Sequence, residues 1–402
     1  MTEPKQTATT EPSPRHAARS ARRPWGTILR VVGLSLAVVM VSSASIAGIV
    51  AWKITSSIDS VSLAGEEGTV EEIKLSGIGA MKGAFNVLIV GSDTRDGQHP
   101  KFGGAAAGAT LNDVNIFVHV SKDHSRAVAV SMPRDLVIPI PSCPREDGSG
   151  MNSGMSAQPI NVALSYGGLA CAVLTVEALT GMKIKYAGLV TFSGVASLAT
   201  AIGGVDVCVD APVYDEYTGL NFPKKGTYNI SGQEALAFLR SRHGVGDGSD
   251  LGRISSQQVY LSSLVRKVQD EGVLLDPSKV YGLASVAASS MTLSNSLSSL
   301  DTMVAMALVL KDIPRENILF VQYPSTTGVG GVYAGKVAPL QDLANTLFSV
   351  IRKDKPFRLD KDATGVGSKV KGKAKKTGSG KLLSGIKGQS AAQNTCSVSY
   401  AY

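Results

Sequence analysis

The sequence predicts a mixed α/β (α+β) protein: a three-layer sandwich with a central mixed sheet flanked by helices, preceded by one transmembrane helix. Three observations carry that expectation. Short apolar runs recur at 86–90, 114–120, 126–132, 184–190, 204–209 and 317–322, bounded by glycine or polar turns. Helical patterns alternate with them, at about 168–180, 193–202, 231–239, 253–270, 276–289, 296–310 and 337–352. A sheet and helices mixed in this order must cover each other's apolar faces, which gives layers. Finally, Val31 to Trp52 runs without a charged residue, and at 1.5 Å per helical residue that is roughly 33 Å, enough to cross a bilayer.

Taken in order, residues 1–26 are rich in Thr, Pro, Ala and Arg and read as a disordered basic cytoplasmic tail. Residues 27–52 read as the transmembrane helix. Arg15, Arg19, Arg22, Arg23 and Arg30 all precede the apolar stretch, so the positive-inside rule keeps the N-terminus in the cytoplasm and the remainder outside. A cleaved signal peptide is the competing reading, and both the apolar run and its basic preface are long for one. Residues 53–83, polar and punctuated by Gly65, Gly68, Gly77 and Gly79, read as a stalk. The globular domain spans 84–358. Within it, Ser121 to Ser125 makes a hairpin connection, and Ser231-Gly-Gln-Glu234 has the form of a capping box. Residues 359–402 lose hydrophobic period and read as a lysine-rich flexible tail.

The formal net charge of +8 is concentrated at the two ends. The part between them is slightly acidic, which excludes a nucleic-acid face. Cys143, Cys171, Cys208 and Cys396 fit an oxidising, extracytoplasmic compartment and match no zinc spacing. Four cysteines allow three pairings, and sequence does not choose among them. Cys143 with Cys171 and Cys208 with Cys396 is the preferred set.

Chemistry concentrates where apolar strands end. Val87 to Val90 stops at Gly91 and is followed by Ser92, Asp93 and Arg95. Asn112-Asp113 precedes the next strand, Arg134-Asp135 ends the third, Arg240-Ser-Arg242-His243 closes a helix, and Asp250-Leu-Gly-Arg253 with Gln257-Gln258 opens another. Any one of these suits a solvated strand or helix end; five together suit a ligand. Arg253 and Gln257 share a helix face. Arg240 and Arg242 would point apart on a helix, so if both face one ligand the backbone must leave the helix near residue 240. Guanidinium forks grip phosphate oxygens bidentately. Two aspartates with phosphate oxygens and water suit Mg²⁺. The sum is a pyrophosphate site. His119 reads as structural on its strand, whereas His243 adjoins the arginine pair and is a phosphate-contact candidate. No HExxH, Walker A or GxGxxG pattern occurs.

These motifs resemble the LytR-CpsA-Psr family, of the actinobacterial kind. The carriers are Asn86-Val-Leu-Ile-Val-Gly-Ser-Asp93-Thr-Arg95, Asn112-Asp113-Val114, Ser131-Met-Pro-Arg134-Asp135, Ile160-Asn161 with Ser165-Tyr-Gly-Gly168, Gly203-Gly-Val-Asp206-Val, Leu239-Arg240-Ser-Arg242-His243, and Asp250-x-x-Arg253 with Gln257-Gln258. They cover about residues 84–270, in order. The resemblance implies a Mg²⁺-dependent phosphotransferase on the outer face of the membrane. It would attach a glycopolymer from a polyprenyl-pyrophosphate carrier to peptidoglycan and release polyprenyl phosphate. It implies Mg²⁺ at Asp93 and Asp113, and the pyrophosphate at Arg134, Arg240, Arg242 and Gln257. Arg95 and Arg253 would support that site, and Asp135 is a candidate for the acceptor proton. It also implies a hydrophobic tunnel for the lipid. Two departures stand out: Leu111 and Ser256 occupy positions where the family often carries arginine. A pyrophosphate hydrolase and a non-catalytic lipid-binding or scaffold protein of the envelope are the alternatives. A DNA-binding regulator is disfavoured.

Overall fold

The computed structural model describes residues 29–30, 32–36, 38, 40–42, 58–63, 81–92, 110–373 and 375–400. The chain divides into two units, residues 1–53 and 54–402. In the first, every described residue is helical, and Leu34, Leu36, Val38, Met40 and Val41 are exposed. The rest of the expected membrane helix lies outside the described residues, as does most of the expected stalk.

The second unit is built on an eight-stranded mixed sheet. Its spatial order is Ser60–Val61, Met291–Ser294, Tyr186–Val190, Phe85–Ser92, Asn112–Val120, Ala127–Met132, Ile318–Gln322 and Gly388–Ser390. The centre is an antiparallel meander in which Phe85 faces Val120 and Val120 faces Ala127. Parallel neighbours flank it on both sides. Period-two alternation sends Leu88, Val90, Phe117, Val130 and Val321 to one face, against the helices Ala163–Thr180 and Gln341–Arg352. Phe85, Val120, Ala129, Ile318 and Phe320 face the other way, towards the helices Pro277–Ser289 and Leu300–Val309. This is the three-layer arrangement expected. The six strands and seven helices read from the sequence all occur, with ends shifted by a few residues. The run Ile160–Thr180 is apolar and long enough to cross a bilayer, but it is mostly buried in the sheet core, which accounts for its composition.

A second, four-stranded sheet has the order Gly226–Ile230, Val205–Val209, Thr395–Ser397, Ser368–Val370. Two of its strands come from the segment expected to be a flexible tail, and that expectation is corrected. Gly388–Ser390 covers the edge of the large sheet. Leu383 and Ile386 are buried in the main core. Arg266 donates to the carbonyls of Ala391 and Gln393 at 3.0 and 2.9 Å, and Gln389 donates to Ser262 Oγ at 2.7 Å. The lysines of the segment stay exposed while its sparse apolar and amide side chains go inward, so composition alone misleads. Part of the expected stalk is corrected too. Ser60–Val61 pairs with Leu293 and Ser294, and Leu63 and Met81 are buried.

Both bridges, Cys143–Cys171 and Cys208–Cys396, have formed. The capping box at Ser231 has not. The chain enters the helix Gly232–Arg240 through a left-handed Gly232, φ 51°, and Ser231 offers its carbonyl, not its hydroxyl, to Glu234 and Ala235. His119 is structural as expected: it is buried, with Nδ1 2.8 Å from Asn86 Oδ1 on the neighbouring strand.

Two outcomes are expected of this architecture. Replacing Cys208 and Cys396 by serine frees a loop of 188 residues and should lower the unfolding free energy by about 2–5 kcal/mol, read as a lower urea midpoint. Burial lowers the His119 pKa, against the opposing pull of Asp354. The folded state therefore resists protonation, so stability should be full above the unfolded value of about 6.5 and decline as pH falls through it. His119→Gln should flatten that decline in a pH series of melting temperatures.

Candidate functional site

The site lies where the central meander ends. Gly91 faces Val114 and Ser92 faces Asn112, so Asp113 is an extra residue in its strand. Such a bulge re-aims the residue it inserts, and Asp113 lines a cavity of about 320 Å³ beyond the strand ends. Gly91 leaves room there: a Cβ would sit 3.0 Å from that of Val114, which would have to give by a few tenths of an ångström. Asn112 is buried and fixes the strand start, donating to Asn115 Oδ1 at 2.6 Å and accepting from Leu164 N at 3.2 Å.

Arg134 follows the strand Ala127–Met132. Its Nη1 donates to Asp113 Oδ1 at 2.5 Å, and its backbone N donates to Asp250 Oδ2 at 3.0 Å. Asp250 begins the helix Asp250–Asp270, where Ser249 caps Gly252 N. Arg253, one turn on, pairs with Asp250 at 2.6 Å and donates to the carbonyl of Asp113 at 2.7 Å. Two acids and two arginines thus form a closed ring. Burial pulls the Arg134 pKa down, but the hydrogen bond and charge of Asp113, with Asp250 and Asp135, outweigh it and the result is upward. Arg134 is therefore a fixed, compensated cation.

Arg240 and Arg242 are the cations outside that ring. The helix ends at Arg240 and Ser241 is extended, φ −60° and ψ 131°, so the backbone leaves the helix where two converging arginines require it. Both arginines line the cavity. The Arg240 guanidinium carbon stacks 3.9 Å from the Phe192 ring centroid. Among the described residues Arg242 has no carboxylate in ion-pairing range, and its Nε is buried without a hydrogen-bond partner. Burial, then repulsion from Arg134, pushes its pKa down. A guanidinium keeps its charge regardless, so a nearby anion would relieve part of that burial and repulsion. Gln257 also lines the cavity, and its Nε2 donates to Leu239 O at 2.9 Å, tying the arginine-bearing helix end to the long helix.

Away from the charged end the cavity wall is apolar: Ile89, Ile116, Val190, Val195, Leu236 and Leu261. Tyr260 joins them, its pKa raised to about 12 by burial. The cavity is therefore amphipathic, with cations at one end.

Asp113, Arg134, Arg240, Arg242, Arg253 and Gln257 are brought together. Asp135 is not among the cavity-lining residues; it is held by Lys336 at 2.9 Å and by Arg134 Nε at 3.6 Å. Asp93 and Arg95 lie outside the described residues. Ser256 is fully buried against the C-terminal segment, with Oγ 2.6 Å from Ser397 Oγ. The space an arginine would need is occupied by that segment. Asp113 offers carboxylate oxygen, a hard donor suited to Mg²⁺ with phosphate and water. Among the described residues no group of three Asp, Glu, His or Cys side chains is placed to hold a metal ion.

Sequence reasoning missed Asp215. It is fully buried in the hairpin Val213–Asp215/Leu220–Phe222 and is a hydrogen-bond hub. Oδ2 accepts from Ser241 Oγ at 2.7 Å and from the backbone N of Arg242 and His243 at 3.1 Å each. Oδ1 accepts from Tyr217 N and Thr218 N. Asp215→Ala would leave these buried donors unpaired and should cost about 3 kcal/mol or more in urea unfolding. Phe192→Leu should instead leave stability nearly intact while weakening anion binding at Arg240, measured by titration with inorganic pyrophosphate.

Residues 51–349 match the LytR_cpsA_psr family. The chain is 29% identical over 277 residues to the cell wall biosynthesis protein LcpA of Corynebacterium glutamicum, covering 62% of this chain and 51% of the relative. It is 29% identical over 212 residues to the polyisoprenyl-teichoic acid–peptidoglycan teichoic acid transferase TagT of Bacillus subtilis, covering 52% and 59%. The chain thus spans about half the length of the curated relatives it matches. The crystal structure of B. subtilis TagV superposes with a TM-score of 0.53 at 22% identity, over 68% of this chain and 98% of that one, and shares the fold. With the family match extending over most of its length, the chain belongs to the LytR_cpsA_psr family.

Proposed function

We propose that the protein is a phosphotransferase that moves a glycopolymer from a polyprenyl-pyrophosphate carrier to peptidoglycan. The observation that carries this reading is Arg242, half-buried and with no carboxylate in ion-pairing range among the described residues, beside Arg240 in a largely apolar cavity. Such a cavity suits a ligand that is anionic at one end and hydrocarbon at the other. The transferase name borne by the relative TagT supports the same class of reaction.

In this reading the acceptor hydroxyl oxygen attacks the phosphorus that bears the glycopolymer. A new P–O bond forms, and the bond from that phosphorus to the bridging oxygen breaks. Polyprenyl phosphate leaves, and the hydroxyl proton passes to a base. Arg240 and Arg242 bind the pyrophosphate oxygens and stabilise charge moving onto the leaving group. Arg134 and Arg253 hold Asp113 and the strand end in register. Gln257 keeps the end of the arginine-bearing helix in place. The apolar wall takes the first part of the lipid and excludes water. Asp113, with Asp93, would hold Mg²⁺, which supplies charge neutralisation at the phosphates. An N-terminal membrane helix with the arginine-rich end in the cytoplasm would put the site beside membrane-borne donor and external acceptor.

The test is polyprenyl-phosphate release by the full chain from a polyprenyl-pyrophosphate-linked saccharide, with and without Mg²⁺ and peptidoglycan. Release is expected to need both. Arg242→Ala is expected to reduce it by about 100-fold or more. Release that proceeds equally without an acceptor would identify a hydrolase, and no release under any condition would overturn the reading.

A further inference from the structure

Asp215 does more than hold the arginine segment. Its two oxygens clamp two pieces of chain to each other: the turn carrying Tyr217 and Thr218, and the segment Ser241 to His243. One consequence is that the rings of Tyr217 and His243 are brought to 4.6 Å between centroids, inclined at 45°. Tyr217 is 72% exposed, and His243 is exposed as well. A single exposed tyrosine is ordinary surface. Two aromatic rings, locked together by a buried carboxylate, with one of them on the residue after Arg242, are a built feature.

We propose that the Tyr217–His243 pair is a platform for a saccharide ring. One face of a pyranose is a patch of C–H groups, which packs on the electron-rich face of an aromatic ring, while its equatorial hydroxyls stay in water. The position favours this chemistry. Arg242 lines the cavity and His243 follows it in the chain. In a glycosylated pyrophosphate the first sugar follows the phosphates, and an acceptor sugar must reach the same phosphorus. Either source presents a sugar ring beside the arginines. The proposal rests on the phosphotransferase reading and adds the surface that recognises carbohydrate.

The experiment measures binding to the full chain, to Tyr217→Ala and to Tyr217→Phe. Three probes are used: a polyprenyl pyrophosphate without sugar, the same lipid bearing a disaccharide on its pyrophosphate, and soluble peptidoglycan glycan strands. Tyr217→Ala is expected to weaken a sugar-bearing probe by about tenfold. Tyr217→Phe should retain binding, and the sugar-free lipid should bind all three proteins equally. Loss with the disaccharide lipid alone assigns the platform to the donor; loss with the glycan strands alone assigns it to the acceptor. Equal binding of both sugar-bearing probes by Tyr217→Ala and the unaltered chain overturns the platform and leaves the phosphotransferase reading standing. Equal weakening of all three probes also overturns it, because it shows a displaced Arg242. If the unaltered chain binds no lipid pyrophosphate, the functional reading falls and the platform falls with it.

Discussion

Everything at this site depends on one closed ring of charge: Asp113, Arg134, Asp250 and Arg253. Burying ions is costly, and a set that is neutral and mutually hydrogen-bonded limits that cost. The ring joins three parts of the fold: a bulged strand start, the loop after the third meander strand, and the first turn of the long helix. Removing one member strands the others as buried, unpaired charge. Its partners are backbone as well as side-chain atoms, so the ring fixes main-chain positions and not only rotamers.

Beyond those two arginines, the cavity is lined by Arg240 and Arg242. Each is held by a different device: a phenyl face for Arg240, and a buried aspartate gripping the backbone for Arg242. The C-terminal segment buttresses the same region from below. Gly246 N donates to Val398 O and Tyr400 N to Gly244 O, which supports the loop between the arginines and the long helix. Gly367 packs so closely on Gly252 that a Cβ on it would collide with the Gly252 carbonyl oxygen. The bridge from Cys208 to Cys396 pins the segment to the small sheet. An anionic head group would thus meet preorganised charge and not flexible side chains.

Much of this was legible in the sequence. Strands and helices followed from period-two and helical patterns, and the motifs at Asp113 and Arg134 lie at ends of the meander strands. Arg240 and Arg242 even required a broken helix, which Ser241 supplies. What sequence hid was long-range and polar. Asp215 lies 26 residues from Ser241, and side-chain-to-backbone hydrogen bonds leave no periodic trace. The bulge at Asp113 depends on the register of two strands, which neither strand encodes alone. The C-terminal segment carries the Gly, Ser and Lys composition of a solvated tail. Yet it is ordered by pairing with strands far away, by a disulfide and by buried amides such as Gln389. Ser256 looked like a lost arginine; its burial against Ser397 shows a position given over to that packing.

The central claim is that an amphipathic cavity lined by Arg240 and Arg242 selects a lipid pyrophosphate. The most direct measurement compares the affinity of the full chain for a polyprenyl pyrophosphate and for the corresponding polyprenol, over a range of salt. The pyrophosphate form is expected to bind at least about 100-fold more tightly, with the preference largely persisting at high salt because the arginines are half-buried. Equal affinity for the two lipids would contradict the account, since it would leave the arginines without a role in binding.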